Sequence, residues 1–235
     1  MSDLKIWKAI LQINFPSSAS LFDNRGKIAT TWQHKHGLTE WRVAQNQVDV
    51  HNKALTRSLV VNHRSISAIE ELPESYDEFS QLAGDYSSST LNVLGVRKIE
   101  RAGLRLMFVA ERKNFRSLVN KMKKGFYKLD DEAWGFLGGD PADVGLHLVL
   151  NLGDGRANLS LGPMEKIELE RQFESEEAKK AIPEVSLLAD IDFFYREPKW
   201  HPKSYRKQIG LFLEDGKNEV QEMVNRFVDH FGGFQ

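Results

Sequence analysis

Residues 96–110 read VRKIERAGLRLMFVA, and the fold turns on how they are read. Side chains alternate faces along an extended strand. On that period Arg97, Arg101 and Arg105 share a face with Ile99, Gly103, Met107 and Val109. The second half of the stretch is apolar on both faces, the pattern of a strand inside a sheet. A guanidinium there is at least partly withdrawn from water, and an unpaired internal charge is very costly. Arg105 therefore needs a carboxylate. The other strongly apolar stretch, residues 185–195, carries Asp190 and Asp192 on one face. Arg105 is expected to meet Asp190 or Asp192 in a structural ion pair, and Arg101, Arg105, Asp190 and Asp192 are the candidates for an ion pair or anion site. The alternative is that the two arginines cradle an anion or phosphate.

Toward the N-terminus the first 70 residues read as strands. Residues 4–15 end at Pro16, which cannot donate to a ladder. Asn24-Arg25-Gly26 signals a turn, with an extended segment at 27–36. Residues 39–50 alternate, with Trp41, Val43, Gln45 and Gln47 on one face and Arg42, Ala44, Asn46, Val48 and Val50 on the other. Residues 55–69 form a second extended stretch. A helix then opens at Pro73 and Ser75, where Ser75-x-x-Glu78 matches a capping box. Tyr76, Phe79, Leu82 or Ala83, and Tyr86 fall on one helical face. The pattern fades at Ser87-Ser88-Ser89 and resumes at Leu91 and Leu94.

Toward the C-terminus, residues 116–124 read as a short helix and Gly138-Gly139-Asp140-Pro141 as a loop. Residues 144–152 and 156–161 flank Gly153-Asp154-Gly155, a hairpin turn. Residues 197–216 fit helix and strand equally. The last helix is expected to start at Asn218, with Val220, Met223, Val224, Phe227 and Phe231 as its stripe and Gly232 past its end. Strands in groups and helices set apart point to an α+β fold. The expected architecture is one domain over residues 1–235 with a predominantly antiparallel sheet. It is built as two similar β-rich halves, each closed by a helix and dividing near residues 94–96. No residue-level repeat accompanies that division.

Composition narrows the chemistry. The chain has 235 residues, 32 Lys and Arg against 33 Asp and Glu, and no cysteine. That length supports a sizeable core. Zero cysteine excludes disulfides, thiolate zinc sites, Fe–S clusters and cysteine nucleophiles. The net charge of -1 lacks the positive excess of a dedicated nucleic-acid binder. No apolar run approaches the ~18 residues of a membrane-spanning helix. Residues 1–8 lack the features of a signal peptide, so a cytoplasmic location is expected.

Two short motifs, Arg101-Ala102-Gly103-Leu104-Arg105 and Leu187-Leu188-Ala189-Asp190-Ile191-Asp192, resemble the signature strands of a sporadically distributed bacterial family of similar length. The opening Ile10-Leu11-Gln12-Ile13-Asn14-Phe15 and a final helix bearing Phe227 extend the resemblance. Residues 197–216 are a departure from it. The family has no established activity, so the resemblance implies a fold and no catalytic residues. It also hints at a place near bacterial defence genes or mobile elements.

No catalytic set assembles from the remaining residues. A metal-dependent nuclease needs carboxylates and a lysine held close together. Asp190 and Asp192 with Glu197-Pro198-Lys199 come near that pattern, but Pro198 breaks the strand. Asp154 with Glu177-Ala178-Lys179 falls in a solvated stretch. His34-x-His36 offers two imidazoles on one strand face without a third ligand. Arg112, Lys113, Arg116, Lys121, Lys123 and Lys124 form the one local basic run, interleaved by Phe115, Phe126 and Tyr127. That run reads as a solvated helix, a partner surface, or a site for single-stranded nucleic acid. Asp130-Asp131-Glu132 would weaken its field. Trp134, Phe136, Trp200 and Tyr205 either anchor a partner or pack under loops. The expected function is a non-catalytic protein-interaction or accessory role, with a protein partner or a homo-oligomer and no cofactor or metal. The alternatives are a small-ligand or nucleotide site at the Arg/Asp group and a nucleic-acid site on the basic run.

Overall fold

The computed structural model describes residues 5–127, 131–136 and 138–230. Its strands are β1 (Lys5–Asn14), β2 (Glu40–Val43), β3 (Gln47–His51), β4 (Arg57–Asn62), β5 (Ser65–Glu71), β6 (Arg101–Glu111), β7 (Leu146–Leu152), β8 (Gly155–Glu165) and β9 (Val185–Arg196). They form one antiparallel sheet in the order β2-β3-β4-β5-β1-β6-β9-β8-β7. The helices are α1 (Ser20–Trp32), α2 (Tyr76–Val93), α3 (Phe115–Met122), α4 (Asp131–Phe136), α5 (Lys166–Glu170), α6 (Glu176–Ala181) and α7 (Tyr205–His230). The fold is α+β. Among the described residues, no helix is long and apolar enough to cross a membrane.

The sheet order shows how the two halves are joined. β1 and β6 lie side by side at its centre, with Leu11 opposite Leu104 and Gln12 opposite Gly103. Each central strand leads into a helix, then into a meander of strands that returns to pair with it, then into a long closing helix. α2 closes the first half and α7 the second. The expected division near residues 94–96 falls between the end of α2 and the start of β6.

The two faces of the sheet differ. Ala9, Leu11, Ile13, Leu104, Leu106, Phe108, Ile191 and Phe193 point into the main core beneath α1, α2, α3 and α7. The opposite face carries Gln12, Asn14, Arg101, Arg105, Asp190 and Asp192. Among the described residues, one end of that face is covered. There Met107, Val109 and Leu188 pack with Leu169, Phe173, Ala178 and Ile182 from the α5–α6 segment. Glu71, buried at the end of β5, fastens this cover. Its carboxylate takes Lys8 Nζ at 2.9 Å and the backbone N–H groups of Glu174 and Ser175 at 3.0 and 2.9 Å.

Several expectations fail on local grounds. The turn at Asn24-Arg25-Gly26 and residues 27–32 of the expected strand at 27–36 are instead part of the helix α1, which a tight turn follows. Leu21, Ile28, Ala29 and Trp32 give it a buried stripe, while Asn24 donates to the Ser20 carbonyl at 2.8 Å. Glycine and asparagine sit on an exposed turn of this helix, where tertiary packing overrides their weak propensity. Residues 39–50 are two strands, so the turn between them reverses the alternation. Trp41 and Val43 pair with Val50 and Val48 and share their face. The strand at 96–110 begins only at Arg101, which removes Arg97 and Ile99 from the face of Arg105. Ile99 lies in the core.

α2 runs unbroken through Ser87 and Ser88, both buried. Ser75 caps it, accepting the Glu78 N–H at 3.1 Å. α7 starts at Tyr205, so Asn218 lies inside a helix of 26 residues and caps nothing. Gly216 suits that close-packed helix because a Cβ there would lie 2.9 Å from Leu104 and Phe193. Phe231 and Gly232 lie outside the described residues.

Candidate functional site

The cross-strand register puts Arg105 opposite Asp192 and Met107 opposite Asp190. Each arginine nevertheless reaches the aspartate offset from it along the strand. Arg105 Nε and Nη2 donate to the two carboxylate oxygens of Asp190 at 2.7 and 2.5 Å. Arg101 Nη2 donates to both oxygens of Asp192 at 2.6 Å. Asn158 on β8 adds a third hydrogen bond to Asp192 at 3.1 Å. The Arg101 guanidinium also lies 4.7 Å from the centre of the Phe194 ring. Gly103 makes room for it, since a Cβ there would fall 2.3 Å from Arg101 Nη1.

The result is a half-buried lattice of two arginines and two aspartates clamping β6 to β9. Its hydrogen bond to Asp190 raises the Arg105 pKa above the ordinary value. A shallow pocket of about 350 Å³ lies over Gln12, Asn14, Arg101, Arg105 and Asp192. Both guanidiniums already donate to a carboxylate here, Arg101 through Nη2 and Arg105 through Nε and Nη2. Asp190→Lys is expected to lower stability by about 1–3 kcal/mol, the usual consequence of leaving a charged donor without its acceptor. Urea unfolding measures this. Unchanged stability would show that the pair does not hold the strands.

The basic run does not form one continuous field. Lys123 and Arg116 both bind Asp140, Lys123 at 2.8 Å, and Lys123 also stands 4.8 Å from the Trp134 ring centre. The hydrogen bond from Lys123 holds the Asp140 carboxyl below its ordinary pKa. Lys124 lines a separate hollow beside Trp134. Arg112, Lys113 and Lys121 surround a different pocket, between α3 and the strands. Asp130 lies outside the described residues. His34 and His36 occupy a tight turn with φ of 67° and 52° and are not on a strand. Among the described residues no cluster of histidines and carboxylates could hold a metal ion. Glu197 pairs with Lys98 at 2.8 Å, and Lys179 with Glu176 at 2.9 Å. Glu197 and Lys179 of the two expected carboxylate–lysine sets are thus each paired with a residue outside those sets.

Of the loop aromatics, Trp134 and Tyr205 are buried while Phe136 is 90% exposed. Trp200 is partly buried and packs against Phe212.

The two edges of the sheet contrast sharply. β2 is four residues long, reads EWRV and carries Glu40 and Arg42. Short, charged edges resist further pairing. β7 at the other edge is seven residues long and reads LHLVLNL, with no Lys, Arg, Asp, Glu or Pro. Its inner side pairs with β8 from Leu146↔Leu161 to Leu152↔Gly155. No strand among the described residues pairs with its outer side. Val149 is 61% exposed. The sequence marks this segment as a hairpin strand but does not place it at the edge, because edge position depends on the order of the whole sheet.

A comparison with protein-family models gives no match. A comparison with curated proteins gives none either.

Proposed function

We propose that the protein is a non-catalytic interaction module that takes up a strand from a second polypeptide along β7. The observation that carries this reading is the outer edge of β7: long, uncharged, exposed and lacking the devices that blunt an edge. Such an edge presents a row of backbone donors and acceptors, which an added strand satisfies.

A second copy of the chain is the occupant that β7 fits best. In antiparallel pairing centred on Val149, Val149 faces its own counterpart. Leu148 then faces Leu150, Leu146 faces Leu152, and His147 faces Asn151. Leucine meets leucine on the helix-bearing face, and a polar pair forms on the open face. No charge is opposed by a like charge, a juxtaposition that destabilises cross-strand pairs. The two sheets would join into one, with both helical layers on the same side.

The test is the molar mass in solution, by light scattering over a range of concentrations. It is expected to rise from 26.9 kDa toward twice that value. A mass that stays at the monomer value at every concentration would rule out self-pairing.

A further inference from the structure

We infer that the open face of the sheet binds a neutral oligosaccharide, in a groove that runs across the strands. The site is independent of strand addition at β7. Three hollows follow one another over that face. The first, about 530 Å³, lies by the β2–β3 and β4–β5 turns and reaches Asn46, Gln47 and Asn62. The second is the pocket over Arg101 and Arg105. The third, about 190 Å³, ends at Asn158 and Ser160 on β8. Gln12 and Asn14 line both the first and the second, and Arg105 and Asp192 both the second and the third. From β3 to β8 the groove crosses six strand spacings, a span of about 29 Å. That length suits a chain of linked units better than one small molecule.

The lining selects the class of ligand. Among the described residues, Ile10 is the one apolar side chain in it. An apolar ligand would therefore strip polar groups of water and give them no hydrogen bond in return. Arg64, Arg101 and Arg105 are matched in number by Glu100, Asp190 and Asp192. A lining balanced in this way offers no net field to draw an ion. Single-stranded nucleic acid stacks its bases on aromatic rings, but Phe194, the ring beside Arg101, is 5% exposed.

Hydrogen bonding is what this groove offers. An amide side chain both donates and accepts, as a sugar hydroxyl does. The amides of Gln12, Asn14 and Asn46 hydrogen-bond none of the described residues. Asn14 Oδ1 and His63 Nδ1 are withdrawn from solvent without a partner among them, a rare condition in native proteins. A turn of either side chain presents that atom to a bound hydroxyl. Uncharged, bifunctional hydroxyls along a linear chain match both the balance of charge and the row of amides.

The experiment is calorimetric titration of the full chain with four neutral hexasaccharides of different linkage: maltohexaose, cellohexaose, xylohexaose and N-acetylchitohexaose. One or more is expected to bind about tenfold or more tightly than its own disaccharide, because only the longer chain spans the groove. Gln12→Ala and Asn46→Ala should each weaken that hexasaccharide about three- to tenfold, the worth of one hydrogen bond. Ser67 stands opposite Gln12 on the same face, and Ser67→Trp should abolish binding by filling the groove. If Ser67→Trp fails to fold, the two alanine variants carry the test. Absence of binding by all four hexasaccharides would overturn the inference, as would alanine variants that bind like the wild type. So would hexagalacturonate, a thymidylate oligomer or a neutral Gly-Ser peptide binding more tightly than every neutral hexasaccharide.

Discussion

Glu71→Ala is expected to lower stability by about 3–5 kcal/mol, the range for removing one member of a buried charged pair. The side chain of Glu71 is 1% exposed and that of Lys8 is 11% exposed. The carboxylate also accepts two backbone N–H groups, from Glu174 and Ser175. Alanine would leave an ammonium and two amides without that acceptor in a nearly dry site. Lys8 keeps one partner, the Gln172 carbonyl at 2.6 Å, which keeps the loss toward the lower end. Glu71→Gln retains an acceptor oxygen and should lose less. Urea unfolding gives the magnitude. Hydrogen exchange should show residues 166–182 losing protection first, because Glu71 ties that segment to the open face of the sheet. An Ala variant as stable as the wild type would show that the cover is held by its apolar contacts alone.

Val149→Lys is expected to abolish self-association while leaving the monomer folded. Val149 is 61% exposed, so lysine can extend into water at little intrinsic cost in a single chain. In the paired state the substitution places two ammonium groups directly opposite each other at the centre of the joint. Like charges in that position destabilise the pair, and a lysine on an edge is a natural device against pairing. Light scattering should return 26.9 kDa at all concentrations. An unchanged far-UV circular dichroism spectrum would establish that the fold survives. A variant that still associates like the wild type would move the interface elsewhere.

The architecture was legible where local pattern and environment agree. The apolar run in β6 with its arginines, the matching aspartates in β9 and the cap at Ser75 all follow from period and chemistry. Even there the sequence left open which aspartate Arg105 would take. The register puts Arg105 across from Asp192, yet its side chain reaches Asp190. α1 is masked in the sequence because Asn24, Gly26 and two threonines mimic a turn and a strand. Only the packing of Leu21, Ile28 and Trp32 beneath the sheet makes that segment helical. Asn218 looked like a cap because the helix before it, from Tyr205, has mixed polar character. The positions that matter most for binding depend on sheet order. Glu71 gives no signal in its own strand, since its partners lie 63 to 104 residues away in sequence. The same is true of β7, whose outer edge exists only because eight other strands lie on its inner side.

The most direct test of strand pairing uses the absence of cysteine from the chain. In the Val149→Cys variant, pairing centred on residue 149 brings the two thiols face to face. Directly opposed residues in antiparallel strands have Cα atoms about 4.5 or 5.5 Å apart, and disulfides span about 4.4–6.8 Å. Mild oxidation should therefore give a covalent dimer of twice 26.9 kDa on a non-reducing gel. Ile167→Cys, equally exposed at 63% but away from the edge, should stay monomeric. If Val149→Cys crosslinks no faster than Ile167→Cys, the two copies do not meet along β7.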